Sequence, residues 1–154
     1  MSVIAVDCPG SWLADHTKMH ASGITDAERP FAFIPLDLND TTDLTARLVE
    51  AVRAWESQTA IHVDGITTLD DELLVTVCCA ALDLGLSVPG PVDAVEACVD
   101  KFQMRKLLPW NGLPIYLVKS REDVSCAISN GVHFPAIMKP RSGCSSSKLM
   151  IFFC

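Results

Sequence analysis

Long apolar runs are missing from this sequence. The longest, Leu73 to Leu82, is broken by Thr76 and falls far short of the roughly 20 residues that a helix needs to span a membrane. The opening residues, MSVIAVDCPGSW, hold no basic stretch and reach Asp7 after a very short apolar segment, so neither a secretory signal nor a transit peptide is read there. A cytoplasmic protein that is not embedded in a membrane is expected. No two of the seven cysteines stand at the C-x-x-C spacing of a zinc or redox site, and Cys78 and Cys79 are adjacent, where helical neighbours point apart. They read as core residues and free thiols of a reducing compartment. His16 and His20 have a helical i, i+4 spacing, but no third ligand stands near them, which leaves no metal site assigned to this chain.

Aromatic residues are scarce, at 6%, and Trp12, Trp55 and Trp110 are too scattered to stack bases. Positive charge is scarce as well in the first 100 residues, which hold four Lys and Arg against 17 Asp and Glu. Residues 101–154 reverse this, with eight against two, inside a chain of net charge −7. The whole-chain acidity argues against a nucleic-acid partner, whereas the basic last third suits either a small polyanion or an ordinary solvated surface.

With 49% hydrophobic and 20% charged residues, the composition is that of a globular chain, and 154 residues suffice for a packed core. Val3 to Val6 reads as a buried strand that ends at Asp7-Cys8-Pro9-Gly10, and Phe31 to Leu36 as a second, shortened by Pro35. Residues 11–30 show no clear period. Asp40-Thr41-Thr42-Asp43 offers capping side chains to a helix whose apolar face is Leu44, Leu48, Val52 and Trp55. A third strand is expected at Ala60 to Val63. Thr67 to Asp71 then opens a helix with Leu73, Leu74, Val77, Ala81 and Leu84 on one face and Gly85 as its stop.

Strands alternating with helices imply βαβ units and an open, mainly parallel α/β sheet with flanking helices over residues 1–90. Ser87 to Pro91, SVPGP, is the expected boundary. Residues 91–154 read as a small, incomplete α+β lobe. Its helices are expected at Val92 to Val99 and Lys101 to Leu108, and its strands at Ile115 to Val118 and Ala136 to Lys139. A further helix, capped by Ser120 with Asp123, is ended by Asn130-Gly131. Leu149 to Phe153 is the expected antiparallel partner of Ala136 to Lys139.

Lys139 closes an apolar strand and leads into Ser142-Gly143-Cys144-Ser145-Ser146-Ser147. A strand-borne lysine beside a loop of small residues suits phosphate oxygens, because backbone N–H groups and hydroxyls can approach closely. The same residues also make an ordinary surface lysine and polar hairpin turn. A Walker A loop is excluded, since Lys148 lacks both the preceding glycine and the following Ser or Thr.

Taken in order, LDLGLSVPG, DKFQMRKLL, NGLPIYLVKS, EDVSCAISNGVHFPAIMKP and RSGCSSS resemble the ATP-grasp ligases over about residues 60–147, with a looser likeness over residues 3–59. The resemblance implies a pre-grasp α/β domain over residues 1–90, followed by the small ATP-binding lobe over residues 91–154. It implies ATP with Mg²⁺ as cofactors, and small-molecule carboxylate and amine substrates joined through an acyl phosphate. Lys101 and Lys139 match the two lysines that contact the ATP phosphates, and Gly143, Ser145, Ser146 and Ser147 match the loop that closes over them. Lys148-Leu149 departs from the glycine and valine with which family loops continue. The second grasp lobe, with its Mg²⁺ ligands and adenine hinge, has no counterpart before Cys154. The expectation is therefore an ATP-binding fragment, inactive alone, whose missing partner is that lobe, with catalytic residues unassigned. The alternative expectation is a non-catalytic nucleotide-binding or regulatory domain.

Overall fold

The protein is described from a computed structural model covering residues 2–25, 28, 30–108, 114–142 and 149–153. Two compact units emerge, Met1–Ile66 with Cys79–Ser87, and Thr67–Cys78 with Val88–Cys154.

In the first unit, β1 (Ile4–Asp7) pairs in parallel with β2 (Ala32–Pro35), Ile4 opposite Ala32 and Asp7 opposite Pro35. Pro35 lacks an N–H, and the next residue donates in its stead, the Leu36 N–H reaching the Asp7 carbonyl at 2.9 Å. Parallel neighbours require a crossover, and it includes a 3-10 turn (Trp12–Ala14) and the short helix α1 (His16–Ala21). The sequence shows no period across α1 because one apolar side chain anchors it: Met19 is 1% exposed. Asp15 begins the helix, its carboxylate accepting the Lys18 N–H at 3.2 Å and its carbonyl the Met19 N–H at 3.0 Å.

Helix α2 (Leu44–Thr59) buries Leu44, Leu48 and Val52 of the face expected from its 3.6-residue period, with Val49 beside them, whereas Trp55 is only half-buried. Its entry differs from the capping expected. Asp43 takes a left-handed φ of 48° and makes no side-chain cap. Arg47 fastens the turn instead, donating to the carbonyls of Asp40 at 2.8 Å and Asp37 at 3.0 Å.

Ala60 to Val63, expected as a strand, has no ladder among the described residues. Ala60 stops α2 in the left-handed region, φ 57°, and the Val63 N–H donates to Glu56 Oε1 at 2.7 Å. A nearby carboxylate has taken the donor that a strand would have used. The described parallel sheet is accordingly small, with two strands.

Helix α3 (Leu74–Asp83) starts after the Asp70 turn, in which Asp70 Oδ1 accepts the Glu72 N–H at 2.9 Å. It ends at Gly85, φ 75°, where the Leu86 N–H reaches back to the Ala81 carbonyl at 2.8 Å. The helix is 10 residues long, and among the described residues no helix is long and apolar enough to cross a membrane.

The second unit continues with α4 (Val92–Val99), α5 (Lys101–Leu107) and α6 (Arg121–Ser129). A reciprocal capping box opens α6: Ser120 Oγ accepts the Asp123 N–H at 3.2 Å, while Asp123 Oδ2 accepts the Ser120 N–H at 2.9 Å. Ile115 to Val118, expected as a strand, finds no ladder among the described residues. Tyr116 instead donates its hydroxyl to the Asn130 carbonyl at 2.9 Å, and the Lys119 N–H goes to Asp123 Oδ2 at 2.8 Å. Strands β3 (Ala136–Met138) and β4 (Met150–Phe152) pair antiparallel, Ile137 opposite Ile151, as the sequence led one to expect. Ile137 and the three β4 residues are exposed.

Candidate functional site

Asp100 stands between two helices and serves both. Its N–H donates to the Glu96 carbonyl at 3.2 Å and closes α4, and its Oδ1 accepts the N–H groups of Phe102 at 2.9 Å and Gln103 at 3.1 Å to open α5. A carboxylate in this position satisfies donors that have no acceptor within the helix. The other oxygen, Oδ2, turns to Arg141, accepting from its Nε at 3.0 Å and from its terminal guanidinium nitrogen as well. Arg141 lies 41 residues further along the chain.

The backbone repeats the link. The Lys101 N–H donates to the Arg141 carbonyl at 2.9 Å. This N–H belongs to the first turn of α5, where the helix itself supplies no acceptor. One side-chain ion pair and one main-chain hydrogen bond therefore join the start of α5 to the segment that follows β3. Lys139 lies on that segment, directly after β3 and exposed, separated from Arg141 by Pro140. Proline fixes its own φ and confines the preceding residue to extended conformations, so Lys139 has little backbone freedom. The structure thus ties together the backbone segments that carry Lys101 and Lys139. Gly143, Ser145, Ser146 and Ser147 lie outside the described residues.

Asp100 and Arg141 were not among the residues singled out from sequence. The signal for Asp100 was present: an acid directly ahead of a helical period is an N-cap. Nothing in the sequence announces its pairing with Arg141.

The Arg141 guanidinium, followed by the N–H groups of Gln103 and Phe102, holds the Asp100 carboxyl down from the ordinary 3.8 to about 2. The folded state therefore binds this proton less readily than the unfolded chain does. What the ionised carboxylate contributes to stability is complete above the ordinary value and is lost as pH falls towards about 2. The Asp100→Asn variant is expected to unfold at lower urea than the wild type near neutral pH, with the gap narrowing steadily from about pH 4 to about pH 2. A gap independent of pH would exclude the ionised pair as its source. The Arg141 side chain is 49% exposed and that of Asp100 17%, so water screens the pair and its effect is modest.

In the first unit, the turn after β2 is fastened to the end of β1 through Cys8. Its Sγ accepts from the Leu38 N–H at 3.4 Å and from Asn39 Nδ2 at 3.2 Å. Among the described residues, no three His, Cys, Asp or Glu side chains gather in a way that would hold a metal ion.

No protein-family profile matches this chain, and no curated protein does. Among solved structures it is similar to an L-amino acid ligase from Bacillus licheniformis, with a TM-score of 0.58 at 19% sequence identity. The match covers 100% of this chain and 39% of that one, so the chain spans well under half the length of the ligase. What this likeness shows is the fold, a mixed helix and strand arrangement with a small parallel sheet and several helices.

Proposed function

We propose that this chain is the ATP-binding part of an ATP-grasp carboxylate–amine ligase, with a pre-grasp domain over residues 1–90 and the small ATP-binding lobe over residues 91–154. The observation that carries the proposal is the double link between Asp100-Lys101 and Arg141, which fastens the DK segment to the KPR segment. These two segments bear the lysines that the family resemblance assigns to the ATP phosphates. The fold likeness to an L-amino acid ligase supports the same reading.

In this reading the substrate carboxylate takes the γ-phosphoryl group of ATP and ADP leaves. An amine nitrogen then attacks the acyl phosphate carbon, phosphate departs, and an amide bond forms. The residues of this chain act on the phosphates. Lys101 and Lys139 would neutralise and orient them, and the backbone and hydroxyls of Gly143, Ser145, Ser146 and Ser147 would close over them. Holding the anion in place is most of what phosphoryl transfer asks of a protein. Mg²⁺ would arrive with ATP, and among the described residues no three His, Cys, Asp or Glu side chains gather to hold it. The partners this reading implies are the second grasp lobe, a small-molecule carboxylate and an amine.

Titration of the purified chain with ATP, with and without Mg²⁺, tests the reading by calorimetry. Saturable MgATP binding, weakened about tenfold or more in Lys139→Ala, is expected; this corresponds to losing one charge-assisted hydrogen bond. Absence of binding, or binding indifferent to Lys139→Ala, would overturn the assignment.

A further inference from the structure

Resting on the nucleotide reading above, we propose that Asp100 and Arg141 form a positioning pair that holds the backbones of Lys101 and Lys139 in a fixed relation before any nucleotide arrives. Neither residue is assigned a contact with ATP. Their role is to hold the two lysines that would make one.

Three features of the geometry carry this. First, Asp100 divides its two oxygens, with Oδ1 on the first turn of α5 and Oδ2 on Arg141, so a single side chain orients the helix and receives the distant segment. Second, the Lys101 N–H and the Arg141 carbonyl meet at 2.9 Å, which fixes Lys101 at main-chain level. Third, Lys139 is held on both sides, by the β3–β4 ladder before it and by Pro140 and the doubly anchored Arg141 after it. Two long amines on separately mobile segments would have to be ordered by the ligand itself, which weakens binding. The pair removes that cost in advance.

Arginine suits this task better than lysine. Its planar fork brings two N–H groups to the Asp100 oxygen while the side chain stays half exposed, and it remains charged at every relevant pH.

The test separates positioning from folding. Asp100→Ser keeps a good N-cap on α5 and removes the partner of Arg141, and Arg141→Ala removes the partner of Asp100 while leaving the cap in place. Both are expected to keep the helix content of the wild type and to lose only the modest stability that the screened ion pair supplies. Each is expected to raise the Kd for MgATP about tenfold, with the double variant no weaker than either single one, since both break one link. Arg141→Lys is expected to recover part of the loss. In the absence of nucleotide, the Lys101 amide is expected to exchange its hydrogen about tenfold faster in Arg141→Ala, because the Arg141 carbonyl is then no longer held against it.

Wild-type MgATP affinity in both single variants would overturn the inference while leaving the nucleotide reading in place. Unchanged exchange at Lys101 would also overturn it, by showing that the ion pair does not hold the backbone contact. Failure of the wild-type chain to bind MgATP would remove the nucleotide reading and this role together, and the wild-type titration alone identifies that case.

Discussion

Replacing Leu48 with Ala is expected to destabilise the first unit by about 2–5 kcal/mol, the usual result of emptying a core site of this size. Leu48 is 4% exposed on the inner face of α2, beside the buried Leu44 and Val52. Helix α2 packs on β2, whose Ile34 is buried too. These side chains are what a two-stranded sheet has in place of a broad hydrophobic face, so the loss of one leaves a cavity that little else can fill. Against a total of roughly 5–15 kcal/mol for an ordinary domain, such a loss is large. Urea unfolding followed by far-ultraviolet circular dichroism measures it, with Ser57→Ala on the exposed side of α2 as the control. The control is expected to stay within about 0.5 kcal/mol of the wild type. Equal midpoints for the two variants would show that the α2 stripe does not form the core.

The same stripe explains what the sequence could convey about the fold. Leu44, Leu48 and Val52 recur at a helical period over several turns, and a pattern of that length survives any tertiary rearrangement. Ser120 with Asp123, and Gly85, are legible for a different reason: caps are local chemistry, decided within a few residues. Strands are otherwise. Ala60 to Val63 and Ile115 to Val118 carry the β-branched residues of strands, but a strand exists only where another backbone receives its hydrogen bonds. Glu56 accepts the Val63 N–H, and just past Val118 Asp123 accepts that of Lys119. The pairing of Ala136–Met138 with Met150–Phe152 was legible because the two apolar segments follow one another in the chain on either side of a polar, Ser-rich stretch. Helix α1 was hidden because Met19, the one buried anchor among its described side chains, makes no periodic pattern.

The candidate site divides along similar lines. Lys101 and Lys139 stand in short motifs whose order along the chain is informative, so the sequence singles both out as candidates. Arg141 was not, although it follows Lys139 by two positions. Its significance comes from Asp100, 41 residues away, and a contact over that separation leaves no local trace. Candidate ligand contacts in short motifs are thus easier to read from sequence than a contact such as Asp100–Arg141 between distant segments.

Removing both lysines together, as Lys101→Met with Lys139→Met, is expected to weaken MgATP binding by about two powers of ten, roughly 3 kcal/mol. Each charge-assisted hydrogen bond to a phosphate is worth about 1.5–3 kcal/mol in a partly sheltered site. Two amines on the same triphosphate give the sum only if each acts independently once the segments are in place. Methionine retains an unbranched apolar stem, so packing along the chain is preserved while the charge is removed. Neither substitution touches the Asp100 carboxylate or the Arg141 guanidinium, and the Lys101 N–H still reaches the Arg141 carbonyl. Hydrogen exchange at position 101 should therefore match the wild type while affinity falls, the reverse of what Arg141→Ala does to exchange. Losses that add across the two single variants would place both amines on one anion. A double variant no weaker than Lys139→Met alone would mean that Lys101 faces something other than the phosphates, and the site would then rest on Lys139 and the loop that follows it.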